Sequence, residues 1–316
     1  MIIGFLPVFY AQNSKIYTTF TTYPPLGVMI LIEKNDEEGT PMTHTPHVDI
    51  PALTAALGPY KDTVSLTVRD ELESTNNTAK AEADANAPAL YVARTQTGGR
   101  GRLGRSFHSP ADTGLYMTVA YTTDKPLTES VRITAAAAVA ACSAVEALTG
   151  ISPSIKWVND LYLDGCKVGG ILTEAVTRAD GTHRMIVGLG INLSTTAFPE
   201  GLRAPAASLF APDRSHAVTP ALMGALAGEI TRRLLDMAHP AEGGDFPGGM
   251  WGEACLDFYR RRLLYVGEAV VCTRGSDCFE GLVTGVDGDF SLLVDSDGRR
   301  LTLSSGEISV RPVKKS

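Results

Sequence analysis

Hydrophobic residues recur along the chain at two spacings, which divide it into strands and helices. Short apolar and β-branched runs predict five strands, at residues 64–69, 90–95, 115–122, 168–176 and 184–191. Helical spacing predicts five helices, at residues 50–57, 78–85, 128–149, 219–235 and 252–263. Strands that cluster among helices without strict alternation are typical of an α+β fold. We therefore predict a central mixed β-sheet with flanking helices.

Residues at the ends of these segments support the helices. Ser74 and Thr128 can each cap the start of a helix, and Gly150 follows the second helix at a position that glycine favours. Thr219 is an N-cap candidate, and Pro220 follows it at the first helical position.

The pattern changes after residue 264. Four short strand-like runs, at 266–273, 279–286, 291–295 and 299–303, are separated by turns rich in glycine and aspartate. This predicts a small SH3-like β-barrel at residues 264–316, after a main domain at 47–263. Residues 1–46 are rich in threonine and proline, and we interpret them as a flexible extension. Alternatively, translation begins at Met29 or Met42.

Composition narrows the class of protein. The 316 residues carry a net charge of −7, whereas a dedicated nucleic-acid binder is usually basic. No uncharged apolar stretch is long enough to span a membrane. The five cysteines form no C-x-x-C pair, and the apolar start lacks the positive charge of a signal peptide. These features favour a cytoplasmic protein.

A loop rich in glycine and arginine, residues 95–105, is the sharpest local feature. Its arginines are Arg100, Arg102 and Arg105, and no acid lies between residues 91 and 110. Guanidinium groups bind phosphate and carboxylate through paired hydrogen bonds, so the loop predicts an anion site. The glycines also match a dinucleotide-binding fingerprint, but a proline-containing segment follows where that motif needs a helix. An RNA-binding tract and an ordinary surface loop remain alternatives.

A second polar segment, residues 155–174, predicts a hairpin that turns at Asp164 and Gly165. Lys156, Asn159 and Asp160 precede this turn, and Lys167 follows it just before a glycine pair. Residue types alone favour an ordinary hairpin with charges facing water over a ligand site. A third segment, 187–192, is a strand ending at Asn192, a common turn residue.

Taken together, these segments resemble biotin protein ligases in order, spacing and identity, from about residue 64 to 311. The shared motifs are Glu73-Ser74-Thr75-Asn76, Gly-Arg-Gly-Arg-x-x-Arg, Lys-Trp-x-Asn-Asp, Lys-x-Gly-Gly-Ile-Leu-x-Glu, Gly-x-Gly-Ile-Asn and Gly306-Glu307-Ile308-Ser309. Each motif is weak alone, and jointly they are specific. The resemblance implies a biotin ligase catalytic domain at 47–263 followed by the SH3-like domain.

The resemblance implies ATP-dependent ligation of biotin to a carrier lysine through biotinyl-5′-AMP, with magnesium. It implies biotin-binding residues, which are Ser74, Thr75, Gln96, Gly99, Arg100, Gly101, Arg102, Lys167, Gly169 and Gly170. It implies ATP-binding residues, which are Arg102, Arg105, Phe107, Lys156, Trp157, Asn159, Asp160, Asn192 and Arg311. Arg102, Arg105, Lys167 and Asp160 are then the catalytic candidates, with Asp160 orienting the carrier lysine or accepting its proton. No protein ligand to the metal is assigned.

Two positions depart from the family pattern: Val158 stands where proline is usual, and Phe107 where tryptophan is frequent. The implied partner is the biotin carboxyl carrier domain of an acyl-CoA carboxylase, and an exposed sheet edge could support a homodimer. Residues 1–46 lack the winged-helix pattern of members that repress transcription, so we expect no DNA binding. A lipoate or octanoate ligase of the same fold is the nearest rival, although its usual signature is not found. A non-catalytic nucleic-acid-binding or adaptor protein is the rival from another class.

Overall fold

The computed structural model describes residues 8–12, 15–19, 30–33, 47–240, 244–274, 276–304 and 308–313. The predicted extension at 1–46 lies outside the described residues except for three short strands, and so do the motif residues Gly306 and Glu307. The predictions about them stay predictions.

A ten-stranded sheet forms the centre of the fold. Its strands are β1 (Val8–Gln12), β2 (Lys15–Thr19), β3 (Ile30–Glu33), β4 (Ser65–Leu72), β5 (Ala89–Gln96), β6 (Gly114–Thr123), β7 (Ser154–Lys156), β8 (Asp160–Leu163), β9 (Cys166–Thr177) and β10 (His183–Asn192). Their order is β1-β2-β3-β4-β5-β6-β10-β9-β8-β7. The β3–β4 and β4–β5 pairs are parallel, whereas the β5–β6, β6–β10 and β9–β10 pairs are antiparallel. The predicted α+β class with a mixed sheet is confirmed.

Five helices cover this sheet unequally. They are α1 (Ile50–Ala56), α2 (Thr75–Ala81), α3 (Ser130–Thr149), α4 (Pro220–Ala238) and α5 (Glu253–Arg262). Because strand side chains alternate between faces, Leu90 and Val92 join the large core beneath α1, α3, α4 and α5. Tyr91 points to the other face, where it packs with Ala79 of the short helix α2.

The ends of the helices are partly as predicted. The Thr219 hydroxyl accepts a hydrogen bond from the backbone of Leu222 at 3.2 Å, and Gly150 takes a left-handed conformation after α3. Thr128 was wrongly predicted as the cap of α3, because a 3-10 turn at Leu127–Glu129 precedes the helix. The stretch Leu127–Thr149 is long and apolar enough to cross a membrane, but most of it is buried in the core of this fold.

A second, five-stranded antiparallel sheet follows α5. Its strands are β11 (Ala269–Arg274), β12 (Asp277–Val286), β13 (Leu292–Ser296), β14 (Arg299–Leu303) and β15 (Ile308–Pro312), in the order β14-β13-β12-β11-β15. Sequence patterning predicted the first four and missed β15. Phe290 joins this sheet to the main domain, since its carbonyl accepts a hydrogen bond from the Trp157 indole at 2.8 Å and its ring packs against Tyr259.

Candidate active site

A pocket opens on the α2 side of the main sheet, and it gathers most of the residues singled out in the sequence. The predicted residues that line it are Ser74, Thr75, Gln96, Arg100, Gly101, Arg102, Arg105, Phe107, Lys156, Trp157, Asn159, Asp160, Lys167 and Gly170. They come from the start of α2, the end of β5, the loop after it, and strands β7 to β9. Sequence segments more than 60 residues apart therefore meet in one site.

The glycine- and arginine-rich loop folds as a small hairpin over the pocket. The Gly101 amide donates to the Arg105 carbonyl at 2.7 Å, and the Phe107 amide donates to the Gly99 carbonyl at 2.8 Å. The Arg102 guanidinium crosses the pocket and donates to Oδ1 of Asn159 at 2.7 Å. This bond ties the loop to the turn between β7 and β8.

Positive charge is concentrated at one end of the pocket. Lys167 Nζ lies 2.6 Å from Asp160 Oδ1, and Asp160 is the only acid among the described residues that line the pocket. Burial lowers the pKa of Lys156; Asp160 opposes this effect, whereas Lys167, Arg311 and Arg105 add to it. Cations this close to one another repel, and a polyanion bound among them relieves that repulsion.

The other end of the pocket is lined mainly by uncharged hydrogen-bonding groups, and we call it the uncharged end. Arg100 is the charged residue beside it, and its guanidinium donates to Asn77 Oδ1 of α2 at 2.9 Å. The Thr75 amide donates to Gln96 Oε1 at 2.9 Å, and Gln96 Nε2 donates to the Ser109 hydroxyl at 3.0 Å. Ser74 occupies the cap position of α2, yet its side chain makes no capping bond. Side-chain amide and hydroxyl groups with fixed partners can select a polar ligand by the pattern of its donors and acceptors.

Two glycines on β10 make room at the floor of the pocket. A side chain at Gly190 would strike the ring of Phe107, and one at Gly188 would strike the amide of Asn76. Residues 188 and 190 share one face of the strand because strand side chains alternate. That spacing is the signal from which both could have been identified as floor residues in the sequence.

The sequence analysis assigned no role to several other lining residues. They are Asn76, Leu103, Ser106, Ile171, Leu172, Gly188, Leu189, Gly190 and Val310. Asn76 and Ile171 stand inside quoted motifs, whereas Val310 carries no local signal because only the fold of the second sheet brings it here.

Four predicted residues lie outside the pocket lining. Gly99 packs beneath the Phe107 carbonyl, and Gly169 packs against the Gly190 carbonyl. Asn192 is buried and donates to the Ala207 carbonyl at 3.2 Å. Arg311 is exposed on β15, close enough to affect the pKa of Lys156. Gly99 and Gly169 therefore support the pocket through close packing.

Relatives of known name match this chain. A sequence profile described as the biotin/lipoate A/B protein ligase family matches residues 68–192. A Bacillus subtilis protein named bifunctional ligase/repressor BirA is 40% identical over 148 residues, which are 46% of each chain. This chain therefore matches about half the length of that relative. A Mycobacterium tuberculosis protein named biotin–[acetyl-CoA-carboxylase] ligase is 28% identical over 74% of this chain and 85% of its own.

Solved structures share the fold. A biotin protein ligase from Aquifex aeolicus, in complex with biotin and ATP, superposes with a TM-score of 0.59 at 24% identity. The superposition covers 78% of this chain and 99% of that protein. Both the main sheet and the second sheet thus have counterparts of known structure.

Proposed function

We propose that this chain, whose residues 68–192 match the biotin/lipoate A/B protein ligase family, is a biotin–protein ligase. It forms biotinyl-5′-AMP from biotin and ATP with release of pyrophosphate, and then transfers the biotinyl group to a lysine of a carrier protein with release of AMP. The observation that carries this proposal is that one pocket has two chemically different ends. The Thr75–Gln96 end offers hydrogen bonds, and the Lys167–Arg102 end offers positive charge.

The uncharged end suits the cyclic urea of biotin. Ser74, Thr75 and Gln96 bond its polar groups, and Arg100 closes over them with Gly99 and Gly101. A site with fixed hydrogen-bonding groups rejects a ligand that leaves those groups unpaired, by about 10⁴–10⁵-fold in favourable cases. Lipoate has no urea, so this end disfavours the rival lipoate or octanoate ligase.

The cationic end suits the reacting groups. A carboxylate oxygen of biotin attacks the α-phosphorus of ATP, and the bond from that phosphorus to the pyrophosphate oxygen breaks. Arg102, Arg105 and Lys167 offset the repulsion between the two anions and stabilise the charge that develops in the transition state. Gly170 lets the ligand approach the backbone beside Lys167, and Gly169 supports this strand by packing against the Gly190 carbonyl.

The remaining predicted ATP-binding residues surround this end. Lys156 and Arg311 add positive charge for the phosphates, while Asn159 holds Arg102 in place. Trp157 and Phe107 supply aromatic walls, and Asn192 stabilises the turn at the end of β10 through its bond to Ala207.

The donor set fits a magnesium ion that is bound mainly by phosphate and water. No group of three or more His, Cys, Asp or Glu side chains suited to a metal is found within the described parts of the chain. Asp160 is the one carboxylate among the described lining residues, and magnesium usually binds one or two carboxylates together with substrate phosphates. When bound, the ion would neutralise phosphate charge.

Asp160 is also the candidate for the second half-reaction. Its Oδ1 atom is held by Lys167, which leaves Oδ2 to orient the carrier lysine or accept its proton. The amine must lose a proton before it attacks the acyl carbon, because a lysine is normally protonated near neutral pH. We propose a biotin carboxyl carrier domain of an acyl-CoA carboxylase as that partner, and the cytoplasm as the place of reaction.

Biotin-dependent exchange of labelled pyrophosphate into ATP tests the proposal. We expect exchange with biotin and none with lipoate. Lys167→Ala should lower the rate by about 10²–10³-fold, as loss of one transition-state donor does. Lys61→Ala, an exposed lysine outside the pocket, is the matched control and should exchange at the normal rate.

Two results would contradict the proposal. Exchange with lipoate alone would assign the chain to the rival ligase. If folded protein supports exchange with neither acid, the proposed adenylation activity is wrong, and the adaptor protein becomes the favoured interpretation.

A further inference from the structure

A buried chain of hydrogen bonds runs behind the uncharged end of the pocket. Thr118 of β6 is fully buried, and its hydroxyl oxygen lies 2.8 Å from the Thr75 hydroxyl and 2.7 Å from Asn76 Oδ1. Asn76 Nδ2 lies 2.9 Å from Glu174 Oε2 and 3.2 Å from the Leu172 carbonyl. The chain therefore links Thr75 in the pocket to a carboxylate on β9.

The positions of the protons along this chain follow from the acceptors at its far end. Glu174 and the Leu172 carbonyl can only accept, so both must be bonded by the N–H groups of Asn76. The Asn76 amide is thus oriented with its oxygen towards Thr118. An amide oxygen cannot donate, so the single hydroxyl proton of Thr118 is used on Asn76.

The direction of the next bond is then determined. Thr118 has no second proton, so the 2.8 Å bond between the two hydroxyls must be donated by Thr75. The Thr75 proton is then not used on Gln96 Oε1, which lies farther from the hydroxyl, at 3.2 Å. Gln96 Oε1 remains satisfied by the Thr75 backbone amide. The Thr75 oxygen consequently presents only lone pairs to the pocket and can bind a ligand only as an acceptor.

We propose that Glu174, Asn76 and Thr118 are positioning residues that hold the Thr75 hydroxyl as a hydrogen-bond acceptor for a ring N–H of the bound cyclic urea. The inference rests on the proposed biotin ligase function and deepens it, because it assigns the polarity of ligand recognition to residues that lie behind Thr75. A ligand without an N–H at that point would leave the Thr75 oxygen unpaired.

Two further contacts keep the chain in this state. Lys80 Nζ lies 2.5 Å from Glu174 Oε1. Burial by itself would raise the pKa of Glu174, but the bonds from Lys80 and Asn76 outweigh it and hold the pKa below its usual value, so the carboxylate remains an acceptor. Gly188, opposite Thr118 on β10, leaves the space that the Asn76 amide fills.

The test measures binding of biotin and of its two mono-N-methyl urea derivatives by calorimetry. Thr118→Val removes the hydroxyl, and Thr118→Ser keeps it. We expect Thr118→Val to weaken biotin binding about tenfold, the effect of about one hydrogen bond, and Thr118→Ser to stay close to wild type. The penalty for methylating the N–H that faces Thr75 should shrink in Thr118→Val, because the freed Thr75 hydroxyl can then turn.

Controls separate positioning from stability. Thr231 is as fully buried as Thr118, but its hydroxyl bonds only within α4, so Thr231→Val should leave both affinities unchanged. If Thr118→Val does not fold, Glu174→Gln decides the matter, since its amide lets Asn76 reverse. The methylation penalty should shrink in that variant too.

The outcomes are distinguishable. Normal biotin binding by Thr118→Val, or a methylation penalty that is the same in wild type and in both variants, would overturn the positioning chain and leave the ligase proposal standing. A wild-type protein that neither binds biotin nor supports biotin-dependent exchange would overturn both.

Discussion

The two faces of the main sheet are covered by different kinds of residues. On one face, α1, α3, α4 and α5 form a continuous apolar core with the strands. On the other, the short helix α2 packs on a few buried residues, and the pocket opens beside it. Burial of apolar area on the first face stabilises the fold, which lets the second face hold polar and charged groups that contribute little to stability.

Alanine residues allow close packing on the apolar face. Residues 135–138 of α3 are consecutive alanines, and all are fully buried between the sheet and the neighbouring helices. Alanine has the highest helix propensity and little bulk, so α3 can lie close to its neighbours. The pocket face uses glycine for a comparable purpose, because Gly188 and Gly190 admit Asn76 and Phe107 next to the strand.

The largest expected effect is on the apolar face. Leu234 of α4 is fully buried, so Leu234→Ala should lower the free energy of unfolding by about 2–5 kcal/mol. Urea denaturation measures this loss. The folded fraction should retain the wild-type KM for biotin and ATP, and a changed KM would show that the two faces are not independent.

On the pocket face we expect a substitution to reduce activity more than it reduces stability. In Gly190→Ala the new methyl group displaces the Phe107 ring, and overpacking of this kind costs about 1–3 kcal/mol. We expect kcat/KM for pyrophosphate exchange to fall at least about tenfold, with a smaller loss of stability than in Leu234→Ala.

The matched control is Gly288→Ala, in the turn between β12 and β13, where a methyl group meets open space. It should change neither exchange nor stability. Equal damage from both substitutions would mean that glycine at 190 matters for the backbone and not for the position of Phe107.

More of the apolar face than of the pocket could be predicted from the sequence. The spacing of apolar residues and the residues at Thr219 and Gly150 predicted α3 and α4 closely, since local chemistry decides them. Thr128 misled because proline and a 3-10 turn precede α3. The strand β15 was missed because its pairing partner, β11, lies more than 30 residues away along the chain.

The pocket shows the same limit. Motifs identified Thr75, Gln96 and Lys167 because their spacing matches a family pattern. Thr118 sits in an ordinary strand sequence, and only the packing of β6 beneath α2 brings it to Thr75. Contacts between residues distant in sequence depend on the fold, so residues that act from behind the pocket could not be found from motifs.

The smallest expected effect concerns the charge on the pocket face. A lysine is cationic only below its pKa, and burial lowers the pKa of Lys156, an effect that Asp160 opposes and that Lys167, Arg311 and Arg105 reinforce. Lys156 therefore loses its charge at a lower pH than an ordinary lysine does. We expect kcat/KM for ATP in pyrophosphate exchange, which reports on the free enzyme, to fall on the alkaline side below the usual lysine range.

Lys156→Arg distinguishes this cause from general alkaline damage. Arginine remains charged throughout that range, so the alkaline decline should move to higher pH in this variant. Lys61→Arg, at an exposed position, should leave the profile as in wild type. An unchanged profile in Lys156→Arg would place the titrating group elsewhere in the cation cluster, and Lys156 would then belong with the residues that shape the pocket wall. A shift to higher pH would show that Lys156 is the titrating group, and that burial limits the pH range over which the pocket keeps its positive charge.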